Sequence, residues 1–327
     1  MLQAFVCANG KVHRASAPAT VDALRSAAWI DLESPTAAEV DLVQQATGLH
    51  VPTEAEISEI ETSSRLANRE GVLYLSMPLI STLTELASLV SAGFVLSQQQ
   101  LITVRFAPSR TFKLYSDSLQ VESLRNGTPA HVLVGLLEAI VDRGADILEQ
   151  MRRDAEAISH TIFALSMQPS TGRKNEDAAL RRILGELGRL GDLGSHARET
   201  LVGVARIAPF VEGTAADWLP SDLPPRLATL RQDVASISDF GTHLGDKQQF
   251  LLDATLGFIN IAQNNVMKVM AIASVVGIPP VLIAGVYGMN FKIIPELNWT
   301  WGYAYAWGLI ILSALIPTAM FRWWKWI

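Results

Sequence analysis

The sequence predicts an α+β cytoplasmic domain followed by long helices that continue into a two-helix transmembrane hairpin. Three observations carry this. Apolar stretches of strand length crowd the first hundred or so residues. Beyond residue 129 the apolar residues fall instead at helical spacing, with charges between them. Past Lys268, charge nearly disappears.

The strands come first. LQAFVCA, AAWIDL, GVLYLSMPL, SLVSAGFVL and QLITVRF have β-type composition. Between them, SPTAAEVDLVQQATG reads as a helix with Ser34 as N-cap and Pro35 at its first position. TEAEISEIE opens with Thr53 and Glu56 at capping-box spacing. These segments define a domain over 1–125. Residues 126–225 read as a long helical hairpin that turns near QPSTGRKN. The Pro- and Gly-bearing stretch FVEGTAADWLPSDLPP then breaks the pattern. A third helix starts near Arg226, forms a stalk over 226–268, and meets no proline before Pro279. From Arg226 to Gly288 such a helix would be on the order of 95 Å long.

Two uncharged runs follow, Val269 to Phe291 and Leu297 to Phe321. Each is long enough to cross a bilayer, which takes ~20 residues. The spans are placed at 269–290 and 303–321, the loop at 291–302 and a tail at 322–327. Lys268, Arg322 and Lys325 flank the spans on one side and only Lys292 lies in the loop, so both termini are expected in the cytoplasm. The N-terminus lacks the apolar core of a signal peptide, which agrees. Trp299, Trp301 and Tyr303 at one end, and Trp323, Trp324 and Trp326 at the other, suit interfacial anchors or subunit contacts.

Composition narrows the function. The 327 residues carry a formal charge of −6, which disfavours nucleic-acid binding and suits a protein that handles cations. Cys7 is the only cysteine, so no disulfide framework or cysteine zinc cluster is expected. No phosphate loop, nucleophile motif or metalloprotease pair is present, so an enzyme is not expected.

The end of the stalk and the first span carry a stripe. Asp253, Asn260, Asn264, Met267, Met270, Ser274, Ile278, Val281, Gly285 and Gly288 recur at helical steps and so share roughly one face. The stripe begins acidic, becomes amide, then soft and apolar, then small. Spacing alone fits either a pore lining or a close packing face. Two spans cannot enclose a pore, so permeation would require a homo-oligomer.

The loop VYGMNFKIIPEL then identifies a family. Tyr287-Gly288-Met289-Asn290 follows the first span, and PEL.W..GY precedes the second. With WIDL at Trp29 to Leu32, GFINIAQN before the span, the Pro279-Pro280 pair and the terminal KWI, the chain resembles the CorA divalent-cation transporters. The resemblance implies a funnel-shaped homopentamer in a bacterial-type inner membrane, with the first span lining the pore and the second packed outside. It implies an external mouth at Gly288, Met289 and Asn290, where Asn290 receives an ion that is still hydrated. It implies apolar gating rings at Met267, Met270 and Ile278, with Asn264 and Asp253 on the cytoplasmic side. It also implies regulatory divalent-cation binding between cytoplasmic domains, here at or near Glu59 and Asp233. No cofactor is implied beyond the transported cation, Mg²⁺ foremost, with Co²⁺ or Ni²⁺ as further cargo.

One departure stands out. Lys292 occupies a place where many Mg²⁺-type relatives carry a carboxylate, and Glu296 faces it from the same loop. The rival readings are a CorA-like Zn²⁺ transporter and a membrane-anchored structural or metal-sensing protein without transport. Zinc normally takes His or Cys ligands, and the six histidines show no paired ligand spacing.

Overall fold

A computed structural model of the chain describes residues 1–8, 11–15, 20–59, 61, 65–81, 88–121, 127–167, 173–290, 294–324 and 326. It divides into two units, Met1–Leu252 and Asp253–Ile327.

The first unit is built on a sheet. Its strands are β1 (Leu2–Ala8), β2 (Lys11–Arg14), β3 (Ala27–Glu33), β4 (Leu66–Arg69), β5 (Val72–Ser81), β6 (Ser88–Leu96) and β7 (Leu101–Arg105). They lie in the order β2-β1-β3-β7-β6-β5-β4. β3 and β7 run parallel, and every other neighbouring pair is antiparallel.

Period-two alternation explains how β3 serves two layers. Ile30 and Leu32 join Leu24, Val43, Val51 and Ile57 in the core beneath three short helices, α1 (Val21–Arg25), α2 (Ala37–Thr47) and α3 (Glu54–Ile57). Trp29 and Asp31 point the other way. Trp29 stacks on Phe5 at 4.3 Å and donates from Nε1 to Thr103 Oγ1 at 3.0 Å. Thr103 in turn donates to Asp31 Oδ1 at 2.7 Å. Arg105, 3% exposed, pairs with Asp31 and with Glu33 at 2.7 Å. The Arg105 guanidinium also lies 4.5 Å from the ring centroid of Phe112, on α4 (Arg110–Val121). Buried charge is costly unless paired, and here the cross-strand neighbours of β3 and β7 supply the pairing.

One local reading changes and one holds. The N-cap of α2 is Thr36, not Ser34. Thr36 Oγ1 accepts from Glu39 N while Glu39 reaches back to Thr36 N, so the reciprocal box outcompetes a lone serine. Ser34 instead takes a positive φ of 42°. The Thr53–Glu56 box is present, and it opens α3, a single turn.

Three long helices follow: α5 (Pro129–Met167), α6 (Arg173–Thr214) and α7 (Leu223–Tyr287). α7 begins before Arg226, with Pro224 and Pro225 in its first turn, where the missing amide hydrogens cost nothing. Leu223, Leu227, Leu230 and Val234 recur at helical steps and are fully buried. Arg226 Nε donates to Glu138 Oε1 of α5 at 3.0 Å. Nearby, His131 Nε2 meets Asp222 Oδ2 at 2.9 Å.

The second unit comprises the rest of α7, a 3₁₀ turn at Pro295–Asn298 and α8 (Gly302–Trp323). α7 and α8 are both long and apolar enough to cross a bilayer.

Candidate ion pathway

In its second half, α7 presents two faces. Every residue of the polar-to-small stripe is exposed, from Asp253 and Asn260 through Met267, Met270, Ser274 and Ile278 to Val281 and Gly285. Met270 is 67% exposed and Val281 72%. The residues two positions away, such as Ala262, Ile272 and Val276, are half-buried. Two residues subtend about 200° on a helix, so the faces are nearly opposite. On α8 the sheltered positions are Ala306, Ile310, Ala314, Pro317 and Phe321, again one helical face.

Local chemistry fits an apolar surround. Ser274 Oγ donates to Met270 O at 2.9 Å, which satisfies its hydroxyl within the helix. Pro279 and Pro280 bring no amide hydrogen, so the carbonyls of Val275 and Val276 lose their helical donors.

At the end of α7 the helix tightens. Gly288 N donates to Ala284 O at 2.9 Å and to Gly285 O at 3.2 Å, and Met289 N donates to Val286 O at 3.2 Å. A Cβ on Gly288 would lie 3.2 Å from the Ala284 carbonyl, so the glycine supplies room. Met289 and Asn290 are exposed. Lys292 lies outside the described residues. Glu296 is half-buried on the 3₁₀ turn, and its carbonyl accepts from Trp299 N at 3.2 Å. Gly302 N then donates to Trp299 O at 3.1 Å. A Cβ on Gly302 would fall well inside contact distance of the Glu296 carbonyl oxygen. Sequence reading passed over Gly302, because only the folded loop reveals that approach.

The two acidic residues expected to bind a regulatory ion are not brought together within one chain. Glu59 is exposed and lines a cleft of about 240 Å³ with His50, Glu56, Arg69 and Ser76. Its backbone carbonyl accepts from Arg65 Nε at 2.7 Å. Asp233 is also exposed, and lines a separate cleft of about 410 Å³ with Glu138, Asp142, Arg226 and Thr229. Among the described residues no three His, Cys, Asp or Glu side chains converge to hold a metal. Asp142 is the addition here. Partial burial first, then repulsion from Glu138, Asp146 and Asp233, raises its carboxyl above the ordinary range. The legible signal was Glu138, Asp142 and Asp146 at four-residue steps on α5.

Comparison with known proteins follows the same outline. A family model described as CorA-like Mg²⁺ transporter protein matches residues 25–323. The magnesium transport protein CorA of Yersinia pestis is 31% identical over 328 residues, covering all of both chains. That of Escherichia coli K12 is 30% identical over the same length. Among solved structures, the complete CorA magnesium transporter from Methanocaldococcus jannaschii matches with a TM-score of 0.75 at 17% identity, covering 100% of this chain and 99% of that one. The ZntB cytoplasmic domain from Vibrio parahaemolyticus matches 79% of this chain and 97% of its own, with a TM-score of 0.56 at 11% identity, a likeness of fold alone. By the extent of the family match and by full-length identity to curated relatives, the chain belongs to the CorA family.

Proposed function

We propose that the chain assembles as a homopentamer in a bacterial-type inner membrane and transports divalent cations, Mg²⁺ foremost, through a central pore. The observation that carries this reading is the polar-to-small stripe of α7, running at helical steps from Asp253 to Gly288 and followed by Asn290. A helix that meets only lipid has no need of amides at the membrane boundary. Five copies turned inward give those amides water and one another. The full-length relatives named as magnesium transport proteins support the choice of ion.

Residues 269–290 and 303–321 cross the bilayer on this reading. The loop 291–302 is external, and the tail 322–327 and both termini are cytoplasmic. The domains over 1–125 and 126–225, and the stalk over 226–268, stay on the cytoplasmic side. At the mouth, a ring of Asn290 side chains accepts hydrogen bonds from the inner-shell water of the ion. That suits Mg²⁺, which dehydrates reluctantly. Rings of Ile278, Met270 and Met267 narrow the path with apolar side chains, and such a constriction blocks ions by dewetting. Asn264, Asn260 and Asp253 receive the ion beyond it. Glu59 of one subunit and Asp233 of a neighbour are the proposed regulatory ligands, since a single chain holds them in separate clefts.

The test is flux of Mg²⁺, Zn²⁺, Co²⁺ and Ni²⁺, compared side by side in liposomes with and without a proton gradient. Mg²⁺ uptake is expected, and Asn290→Ala abolishes it. Undiminished uptake by that variant would remove Asn290 from the mouth.

A further inference from the structure

Lys268 is the one cationic residue between Asp253 and Asn290. It sits beside Met267, within the turn that carries the apolar narrowing. Five copies would bring five positive charges to a cation path, which poses a problem of charge placement.

Lys268 occupies a flank of α7. It lies one turn past Asn264 of the stripe, about 40° around the helix, and one turn before half-buried Ile272. Helical side chains lean toward the N-terminal turn, so an unrestrained lysine here would reach back over Asn264. The structure has it elsewhere. The Lys268 ammonium lies 5.6 Å from the ring centroid of Trp326, on the C-terminal tail. Trp326 is itself fixed, stacked on Phe321 with ring centroids 5.7 Å apart and an interplanar angle of 21°. Its backbone N–H donates to Phe321 O at 2.9 Å, which folds the tail back against the end of α8. Among the described residues Lys268 makes no ion pair, so the ring face is the partner its charge has.

We propose that Trp326 is a positioning residue that clamps the Lys268 ammonium on the tail side of α7 and keeps it off the cation path. A cation over an aromatic face is attracted by the ring quadrupole, and the attraction strengthens as water is excluded. Trp326 gives the charge a partner that does not neutralise it and does not place a carboxylate near the ion. With the ring removed, the flexible stem lets the ammonium swing toward Asn264. There it donates to the amide oxygen that would otherwise serve the water shell of the ion, and it repels the ion. The inference rests on the pore reading above.

Two measurements on the full chain separate this inference from that reading. The first is independent of transport. In detergent-solubilised protein, an amine-selective reagent followed by mass spectrometry reads the accessibility of Lys268. Trp326→Ala should label at least about threefold faster than wild type, and Trp326→Phe, which keeps a ring, should not. Equal labelling in all three would overturn the clamp whether or not the protein transports. The second is Mg²⁺ uptake in liposomes of phosphatidylethanolamine and phosphatidylglycerol. Trp326→Ala should slow uptake by about threefold to tenfold, more at low ionic strength than at high. Trp326→Phe should largely retain uptake, and Lys268→Gln added to Trp326→Ala should restore it. Slow uptake that the added glutamine fails to restore would show a structural role for the tail and overturn the charge argument.

Discussion

Replacing Gly302 with alanine tests how the 3₁₀ turn before α8 is held. The perturbation is one methyl group, yet its nearest neighbour is backbone. The new Cβ would press on the Glu296 carbonyl oxygen, with the Glu296 carbonyl carbon at 3.3 Å and Trp299 Cβ at 3.6 Å behind it. An ordinary carbon–oxygen contact is about 3.3–3.6 Å, so the 3₁₀ turn must retreat by about 1 Å. No rotamer change relieves this, because the obstructing oxygen belongs to the main chain. The retreat strains two linked hydrogen bonds, Trp299 N to Glu296 O and Gly302 N to Trp299 O. Overpacking of this kind costs about 1–3 kcal/mol, and each weakened bond adds about 1 kcal/mol.

The assay has two arms. On the pore reading, Mg²⁺ uptake in liposomes should fall sharply, because the displaced turn carries Glu296, six residues from Asn290. Thermal unfolding of the full chain should meanwhile keep the transition of residues 1–252, which form a separate unit. A Gly302→Ala protein with wild-type uptake would refute the argument. Loss of both signals would show global misfolding, and then Gly302→Ser, which sets a similar Cβ in the same place, should fail equally.

Two further predictions follow from the same geometry. On the pore reading, Met270→Ala or Ile278→Ala should raise basal leak by about tenfold or more, since each truncation would lower an apolar barrier by the order of 1.4 kcal/mol. Leak unchanged in both would remove these side chains from the narrowing. Asp142→Asn should raise the melting temperature at neutral pH. The folded chain holds the Asp142 proton more tightly than the unfolded chain, so its ionised form costs stability. That cost is absent below the ordinary carboxylate range and fully present above the raised value, so the gain should fade as pH drops through that window. A gain that persists in acid would assign the effect to packing.

What the sequence made legible follows physical lines. The five recognised strands are those that bury side chains, and burial leaves β-branched and aromatic residues behind. The two missed strands, KVHR and LANR, are the outermost of the sheet. Edge strands carry polar residues because one side meets water, so composition hides them. Ser34 was misread for a related reason. Proline at the first helical position is a common signal, but here Thr36 and Glu39 satisfy each other and start the helix two residues later. Asn290 stands out as a candidate in the sequence because a local triplet marks it, whereas Gly302 depends on a carbonyl six residues back in the chain. Trp326 looked like an interfacial anchor. Its ring engages Lys268, 58 positions earlier, and no spacing rule connects them.

The two faces of α7 explain why the stripe could be read at all. In its first part the helix is patterned by what it buries, with Leu223, Leu227, Leu230 and Val234 under cover. Past Lys268, on the reading that places α7 in a bilayer, an apolar surround would let any greasy residue serve on any face. A polar or small residue there is therefore informative in a way that it is not on a soluble helix. Met267 and Ile278 carry less information singly, because lipid would accept them equally. Their place in the argument comes from register with Asn264 and Gly285, and the two truncations above would test that register directly.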